Sequence, residues 1–281
     1  MSRPVLLFGA SGRLGRAVVS RGGRPLRRIA WENAKAWTAG EARAAVGDAL
    51  DWARAAGGDG LDVVLASGLI SPSCSAAEIE AGNVAFPLMV ARAALAVAGV
   101  RCLTFGTILE HFADIAAVNR YVRSKRSLAA GLTAPGRLMH LRLHTLYGGG
   151  APSPHMFTGQ MAAALAARTP FAMTSGRQLR EYHHVDDVAA SMAALLDRDW
   201  GGLGASLDLS SGQPVALRVL AEAVFGRLGR LGDLRLGEAG EAGPDNDGRI
   251  FPRSPDWLLP AGREPVAGVC RWLCDCLEAR T

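Results

Sequence analysis

Two residues one helical turn apart, Tyr121 and Lys125, have the types and the spacing of an acid–base pair. The stretch 117–130 is predicted to be a helix, and a separation of four residues places both side chains on one face. A free tyrosine is a poor acid–base catalyst near neutral pH, but a neighbouring ammonium group favours the phenolate and lowers the tyrosine pKa. We therefore expect the pair to move a proton to or from a substrate oxygen, while the hydroxyl of Thr107 binds the same oxygen. The alternative is an ordinary solvated pair on a helix.

A glycine-rich stretch near the beginning of the sequence predicts a dinucleotide site. Val5 to Phe8 is a continuous apolar run, typical of a strand buried on both faces. Gly9, Gly12 and Gly15 follow at the spacing G-x-x-G-x-x-G. The first glycine permits a tight turn, the second lets the main chain approach a pyrophosphate, and the third lets the next helix pack on the strand. That helix, from Arg13 onward, would direct its free N–H groups at the phosphates.

Basic residues near this stretch favour NADP(H) as the cofactor. Arg13 lies inside the glycine loop, and Arg27 and Arg28 lie on a predicted second strand. Basic residues at these places accept the 2′-phosphate of NADP, whereas an acidic residue would bind the ribose of NAD. Glu32 is the only acidic residue nearby, so NAD(H) is the other possibility. With a nicotinamide bound, hydride exchange at the substrate carbon would accompany proton transfer at its oxygen.

Apolar runs alternate with helical stretches along the first half of the sequence. Strands are predicted at 5–8, 26–31, 62–66, 100–105 and 138–143. This alternation predicts an α/β fold with a doubly wound parallel sheet of the Rossmann type. Gly9, Ser67, Thr107 and the stretch after Leu143 should then meet at one edge of the sheet, where such folds bind ligands. Asp48 would bind the adenine amine from a strand end, or cap the helix that follows it.

The composition limits the classes of function. The 281 residues are 49% hydrophobic and 20% charged, as in an ordinary globular protein. No apolar run reaches the roughly 18 residues that span a membrane, and no secretion signal precedes Gly9, so we expect a cytoplasmic protein. The net charge of +5 comes mainly from scattered arginines, which suits an anionic small ligand better than nucleic acid. Neither the five cysteines nor the paired His183 and His184 have metal-ligand spacing, so no metal site is predicted.

Together these stretches resemble the extended short-chain dehydrogenase/reductase family, in its branch of nucleotide-sugar epimerases, dehydratases and ketoreductases. The resemblance spans most of the sequence through motifs in a fixed order: Gly9-Ala-Ser-Gly-Arg-Leu-Gly15, Gly47-Asp48, Ala66-Ser-Gly68, Asn83-Val84, Phe105-Gly-Thr107, Tyr121-x-x-x-Lys125, Leu141-Arg-Leu-His-Thr-Leu-Tyr-Gly148 and Arg180-Glu-Tyr-His-His-Val-Asp-Asp187. It implies a Rossmann domain over 1–148, to which 185–212 would return. A small C-terminal substrate-binding lobe would comprise mainly 149–184 and 213–281.

Position by position, the resemblance implies roles for individual residues. The catalytic set would be Thr107, Tyr121 and Lys125. The last two would also contact the cofactor, together with a larger group: Gly9, Ser11, Gly12, Arg13, Leu14, Gly15, Asp48, Ala66, Ser67, Gly68, Asn83 and His144. The substrate would meet these residues: Thr107, Ile108, Thr145, Arg180 and Arg249. Thr145 stands where the family usually has an asparagine, and the alternative for Arg180 is an ion pair with Glu181 or Asp187.

The resemblance is compatible with three reactions, which are reduction, epimerisation and 4,6-dehydration. In the resembling dehydratases an Asp-Glu pair directly follows the threonine, but Ile108 and Leu109 stand here and cannot transfer protons. Glu110 comes one residue too late and is expected to face elsewhere. Because the arginines favour an exchangeable NADPH, we expect a reductase, acting at C4 of a keto-deoxysugar linked to a nucleotide diphosphate such as dTDP. An NAD-dependent epimerase is the alternative, a non-catalytic dinucleotide sensor is the alternative of another class, and a homodimer is expected from the resemblance alone.

Overall fold

The computed structural model describes residues 3–30, 35–240, 248–259 and 262–279. Contacts between Cα atoms divide the chain into two compact units. The first unit comprises Met1–Leu143 and Ala189–Leu209, and the second comprises His144–Val188 and Ser210–Thr281. Within the described ranges, no helix is both long enough and apolar enough to cross a membrane.

A parallel sheet of six strands forms the centre of the first unit. Its strands are β1 (Val5–Phe8), β2 (Leu26–Ile29), β3 (Leu61–Leu65), β4 (Val100–Thr107), β5 (Leu138–Leu143) and β10 (Ser206–Leu209). The order is β10-β5-β4-β3-β1-β2, and every neighbouring pair is parallel. The predicted α/β fold with a doubly wound parallel sheet is thus confirmed. Two details differ, because the sheet gains β10 and because β2 ends at Ile29 instead of continuing to residue 31.

Helices cover this sheet, which explains why β1 and β3 consist of buried residues throughout. They are α1 (Arg13–Arg21), α2 (Ala39–Ala55), α3 (Ala76–Glu80), α4 (Phe86–Leu95), α5 (Ala113–Val118) and α6 (Arg120–Ala130). A single π-helical turn, Ala81–Ala85, joins α3 to α4. Thr38 and Ser75 begin α2 and α3 with capping boxes, in which each side chain accepts a main-chain N–H and a glutamate three residues later returns the bond.

One buried carboxylate near the amino end of β3 holds three arginines. Asp62 is only 1% exposed, and its Oδ1 accepts hydrogen bonds from Arg3 Nε at 2.9 Å and Arg101 Nε at 2.8 Å. Arg24 Nη1 lies 3.8 Å from the other oxygen. The Arg101 guanidinium also lies over the ring of Trp200, 4.3 Å from its centre. A buried charge is stable only when it is paired, so this cluster fixes the ends of the strands opposite to the glycine loop.

The second unit has a separate apolar core between short strands and helices. Strand β6 (Thr145–Tyr147) pairs with β9 (Tyr182–His184), β7 (Phe171–Met173) with β12 (Leu234–Leu236), and β8 (Leu179–Arg180) with β11 (Val215–Ala216). The helices are α7 (Phe157–Ala167), α9 (Leu217–Arg227) and α10 (Pro265–Glu278), and α8 (Val185–Leu196) begins here and ends in the first unit. Helix α10 begins at Pro265, because Glu264 accepts N–H bonds from Val266 and Ala267.

Candidate active site

The loop after β1 has the close contacts that its glycines predict. Gly9 has a φ of +82°, and a Cβ there would lie 2.5 Å from the main-chain nitrogen of Ser67, so no other residue fits. A Cβ on Gly15 would overlap the carbonyl oxygen of Gly9, so α1 packs directly on the loop. Gly12 N donates to Gly9 O at 3.0 Å and closes the turn.

The N-terminus of α1 offers N–H groups that the helix itself does not use. The first bond within the helix runs from Arg16 N to Gly12 O at 2.9 Å, so the N–H groups of residues 13–15 have no partner inside the helix. No side chain caps this end, and its first turn contains no acidic residue. Ser11 is exposed, whereas the side chain of Leu14 is buried, so Leu14 can meet a ligand only through its main chain. This end of the helix suits a pyrophosphate.

The loop after β3 presents a buried hydroxyl without a partner. Ser67 Oγ is buried and forms no hydrogen bond with any residue that the structure describes. Leaving such a group unsatisfied costs about 1–3 kcal/mol, and a hydroxyl of a bound ribose would satisfy it. Ala66 provides the small surface on which Gly9 rests. The glycine loop, the open helix end and this hydroxyl together fit a dinucleotide.

Asn83, in the π-helical turn before α4, holds this second loop in place. Its Oδ1 accepts a hydrogen bond from Leu69 N at 2.7 Å, and its Nδ2 donates to Leu69 O at 2.9 Å and to Ser124 Oγ at 3.1 Å. The side chain is completely buried. Asn83 therefore ties the loop to α6, so it can act on a cofactor through the loop, and the direct contact expected for it stays a prediction.

Helix α6 and the end of β4, which pack together, carry the predicted catalytic residues. The helix begins at Arg120, not at 117, because Asn119 Oδ1 accepts the N–H groups of Tyr121 at 3.0 Å and Val122 at 3.2 Å. Lys125 Nζ lies 5.9 Å from the centre of the Tyr121 ring, so the structure brings these two side chains together. Thr107 is the last residue of β4 and is 9% exposed.

The expected lowering of the Tyr121 pKa is wrong. Burial, with a smaller contribution from the Glu110 carboxylate, raises the pKa of Tyr121 to about 12. Burial also lowers the pKa of Lys125 to about 8, although Glu110 acts in the opposite direction. Lys125 is 5% exposed, and its Nζ forms no hydrogen bond or ion pair with the described residues. Desolvation thus outweighs attraction between the two groups, and Tyr121 is a protonated phenol at neutral pH.

Glu110 is buried directly behind Thr107. Its Oε1 accepts a hydrogen bond from Thr107 N at 2.8 Å, and its Oε2 lies 3.2 Å from His140 Nε2 and 3.3 Å from Arg142 Nε. Burial acts to raise the Glu110 pKa, but the hydrogen bond and charge of His140, the Thr107 N–H and the charge of Arg142 lower it overall. Glu110 is therefore ionised at neutral pH, with its carboxylate engaged by these three residues.

Two expected contacts to the adenosine half of the cofactor lack support. The strand-end and capping positions predicted for Asp48 are wrong, because this residue lies exposed in the middle of α2, whose cap is Thr38. The guanidinium of Arg27 lies 4.5 Å from the centre of the Trp52 ring, which is a contact on the protein's own surface. Glu32 lies outside the described residues.

Glu181 is a further buried carboxylate that the sequence did not reveal, and it organises part of the second unit. It accepts hydrogen bonds from Ser210 Oγ at 2.8 Å, Ser211 Oγ at 2.8 Å and His183 Nε2 at 3.2 Å. Burial acts to raise the pKa of Glu181, but its hydrogen bonds to His183 and the serines and the charge of His144 lower it to about 2. The sequence feature that could have indicated this buried carboxylate is the acidic residue within the motif Arg180-Glu-Tyr-His-His. In the described part of the chain, no group of three His, Cys, Asp or Glu residues is arranged to hold a metal.

Three of the residues predicted to contact the cofactor or the substrate, which are His144, Thr145 and Arg249, lie around Glu181 and Phe251. His144 Nε2 is 3.6 Å from Glu181 Oε1, and its ring meets the ring of Phe251 edge-on with 5.4 Å between the centres. Thr145 N donates to Glu181 O at 3.1 Å, and the Arg249 guanidinium lies 5.0 Å from the Phe251 ring centre. Arg180, on β8, donates from Nη1 to Leu179 O at 2.8 Å. Contacts of these residues with a substrate stay predictions.

Comparisons with known proteins agree with the fold. The model of the NAD-dependent epimerase/dehydratase family matches residues 5–204, and no curated protein sequence matches. Among solved structures, the chain is similar to the dTDP-4-dehydrorhamnose reductase of Bacillus anthracis in complex with NADP, with 14% identity, a TM-score of 0.74, and 97% of this chain and 99% of that chain covered. It is also similar to the UDP-N-acetylglucosamine 4-epimerase of Methanobrevibacter ruminantium in complex with UDP-N-acetylmuramic acid (14% identity, TM-score 0.75, coverage 100% and 99%). A third is the Bordetella bronchiseptica enzyme WbmG in complex with NAD (18% identity, TM-score 0.71, coverage 99% and 96%). At such identities these structures show a shared fold.

Proposed function

The chain belongs to the NAD-dependent epimerase/dehydratase family, and on that premise we propose that it uses NADPH to reduce a nucleotide-linked keto-deoxysugar at C4. Membership of the family makes the chain an NAD(P)-dependent enzyme of the short-chain dehydrogenase/reductase type. The observation that carries the proton-donor role is the placement of Lys125 Nζ 5.9 Å from the centre of the Tyr121 ring, and burial, which raises the pKa of Tyr121 to about 12, keeps Tyr121 a phenol. Reduction requires a proton donor at the substrate oxygen, and a neutral phenol is that donor.

Three side chains of the first unit act on the substrate carbonyl in this proposal. A bound nicotinamide supplies the hydride that adds to the carbonyl carbon. Thr107 donates a hydrogen bond to the carbonyl oxygen and orients it, and Tyr121 gives its proton to that oxygen as the hydroxyl forms. The ammonium of Lys125 stabilises the tyrosinate left behind, which regains its proton from solvent.

The proposed binding roles follow from the groups that each unit presents. The glycine loop and the N–H groups of residues 13–15 hold the pyrophosphate, and Ser67 binds a ribose hydroxyl. Since Arg27 is stacked on Trp52, the preference for NADP(H) over NAD(H) depends chiefly on Arg13. In the second unit, Arg180 and Arg249 are proposed for the diphosphate of the substrate, because guanidinium groups match phosphate geometry, and His144 is proposed for the nicotinamide end.

The other reactions of the family find less support in the residues present. Dehydration needs an acid and a base next to Thr107, but Ile108 and Leu109 follow it, and Glu110 is held by His140 and Arg142. Epimerisation begins with an oxidation in which Tyr121 must act as a base, which its raised pKa opposes. A dinucleotide sensor has no need of the Tyr–Lys pair. The homodimer and the cytoplasmic location stay predictions.

A screen of nucleotide-linked keto sugars with NADH and NADPH, together with mass spectrometry of the purified protein, tests the proposal. We expect NADPH oxidation with a 4-keto sugar, and a loss of at least about 100-fold in Tyr121→Phe with NADPH binding retained. Tyr147→Phe is the matched control, because burial raises the pKa of Tyr147 to about 12 as well, but Tyr147 lies in the second unit, outside the proposed catalytic set. Tightly retained NAD⁺ would indicate an epimerase, binding without turnover would indicate a sensor, and full activity of Tyr121→Phe would contradict the mechanism.

A further inference from the structure

Glu110 is the centre of a hydrogen-bonded network that runs from the surface of the first unit to Thr107. At the outer end, His111 Nε2 lies 2.9 Å from Asp208 Oδ2, and Arg142 Nη1 donates to Asp208 Oδ1 at 2.8 Å. Arg142 and His140 then reach Glu110. At the inner end Glu110 accepts the N–H of Thr107, so the network ends on the main chain of a proposed catalytic residue.

Gly106 leaves space beside β4 for the Glu110 carboxylate and the His140 imidazole. Glycine inside a strand weakens the strand, so it marks a close approach. A Cβ on Gly106 would overlap both Glu110 Oε1 and His140 Nε2. The carboxylate and the imidazole therefore lie directly against the strand, one residue before Thr107. His140 is fixed from its other side, because its Nδ1 lies 2.8 Å from Thr104 Oγ1.

The side chain and main chain of Thr107 are locked by this arrangement. Glu110 Oε1 accepts the N–H of Thr107, and Thr107 Oγ1 accepts the N–H of Leu109 at 3.4 Å, as in a capping box. The β4 strand thus ends with one defined direction for the Thr107 hydroxyl. Loss of the carboxylate would free the residue that orients the substrate oxygen.

The turn that carries this carboxylate, Ile108–His111, packs on α6, so the carboxylate is a permanent negative charge near the proposed acid–base pair. The charged and titratable groups around it are His140 and Arg142 on β5, His111 on its own turn, Asp208 on β10, and Tyr121 and Lys125 on α6. The Glu110 charge acts to raise the pKa of both Tyr121 and Lys125. A higher pKa keeps Lys125 as an ammonium as the pH approaches 8, whereas Tyr121 is a phenol at neutral pH with or without this charge.

We propose that Glu110 is a positioning residue, which holds Thr107 through its main chain and whose fixed negative charge favours the ammonium of Lys125. This inference deepens the proposed function, since it names a residue that acts through the catalytic set without touching the substrate. It also gives a role to Glu110, which lies three positions after Thr107 and therefore lacks the spacing of the acidic pair in the resembling dehydratases.

The composition permits a direct test that needs no substrate. Lys35 and Lys125 are the two lysines of the chain, so the protein with ¹³C-labelled lysine gives two side-chain NMR signals, and Lys35→Arg assigns them. Glu110→Gln keeps the shape and the acceptor for Thr107 but removes the charge. We expect the Lys125 pKa to fall by about half a unit or more from its value of about 8. Asp208→Asn is the matched control, because it removes a charge from the same network one residue further out, and it should leave the Lys125 pKa within about 0.2 units.

Kinetics supply the second readout. In Glu110→Gln the alkaline limb of kcat for reduction should move to lower pH by the same amount as the Lys125 pKa, with KM within about twofold. An unchanged Lys125 pKa in folded Glu110→Gln overturns the inference. If that variant does not fold, Arg142→Gln decides, because removal of the neutralising cation should raise the Lys125 pKa, and no rise overturns the inference. If wild type reduces no keto sugar, the proposed function fails while the NMR titration still decides the role of Glu110.

Discussion

Replacing Lys125 by methionine should make the folded protein more stable while abolishing the proposed reduction. Lys125 lies against Gly68 without a hydrogen-bond partner in the described ranges, and burial lowers its pKa from the usual 10.5 to about 8. This fall corresponds to a cost on the order of 3 kcal/mol for holding the ammonium in the folded state at pH 7. Methionine keeps the unbranched shape without the charge. We expect Lys125→Met to raise the free energy of unfolding by about 1–3 kcal/mol at pH 7.

The gain in the free energy of unfolding should decrease as the pH rises above 8. The folded protein releases the Lys125 proton near pH 8, whereas the unfolded chain keeps it to about pH 10.5. The cost is therefore complete below pH 8 and disappears between pH 8 and 10.5, so wild type should approach the variant in stability across that range. Urea unfolding of the cofactor-free protein, followed by tryptophan fluorescence at pH 7 and at about pH 9.5, measures this.

Lys35→Met is the matched control, since Lys35 is exposed and its replacement should change stability by less than about 0.5 kcal/mol. A variant at Lys125 that is less stable than wild type at pH 7 by about 1 kcal/mol or more would refute the reasoning, because it would mean that the ammonium is stabilised by its surroundings.

Three further predictions concern the pH profile, the sheet and the glycine loop. Reduction should slow above about pH 8 as Lys125 loses its charge, and Lys125→Arg should move this limb beyond pH 10, as measured by kcat/KM from pH 6 to 10. Asp62→Ala should cost about 2–3 kcal/mol in urea unfolding, because it removes the buried carboxylate that three partly buried arginines share, whereas Asp59→Ala, at a side chain 69% exposed, should cost less than about 0.5 kcal/mol. Gly15→Ala should abolish NADPH binding in a fluorescence titration, because its Cβ overlaps the loop; Gly47→Ala, whose Cβ meets nothing within 4 Å, should leave binding unchanged.

The parts of the site that could be predicted are those with local causes. The tight turn at Gly9 and the packing at Gly15 involve residues that adjoin in sequence, and both appear in the structure. The separation of Tyr121 and Lys125 is one helical turn, so a correct helix assignment was enough to place the side chains together. The parallel sheet followed from the alternation of apolar runs with helices.

The errors have equally definite causes. Asp48 was placed at a strand end by a two-residue motif, but the capping box at Thr38 and the buried face formed by Ala42, Val46 and Leu50 make one continuous helix there. A repeating apolar face over 17 residues outweighs a pair of residues.

Long-range contacts explain what the sequence could not reveal. Glu110 meets His140 across 30 positions, and Glu181 meets Ser210 across 29, so neither partner is visible in a local motif. The direction of the Tyr121 pKa shift was predicted from its neighbour alone. Burial depends on how β4 and α6 pack, and its effect is the larger one.

This burial also bears on the direction of the proposed reaction. Burial raises the pKa of Tyr121 to about 12, so its phenolate is rarer at pH 7 than that of a tyrosine at its ordinary pKa. An oxidation would have to begin from that rare phenolate, whereas a reduction begins from the abundant phenol. A positive charge beside the phenol would act against this shift. Glu110 places a negative charge near it instead, and so the residues of this chain favour the direction that donates a proton.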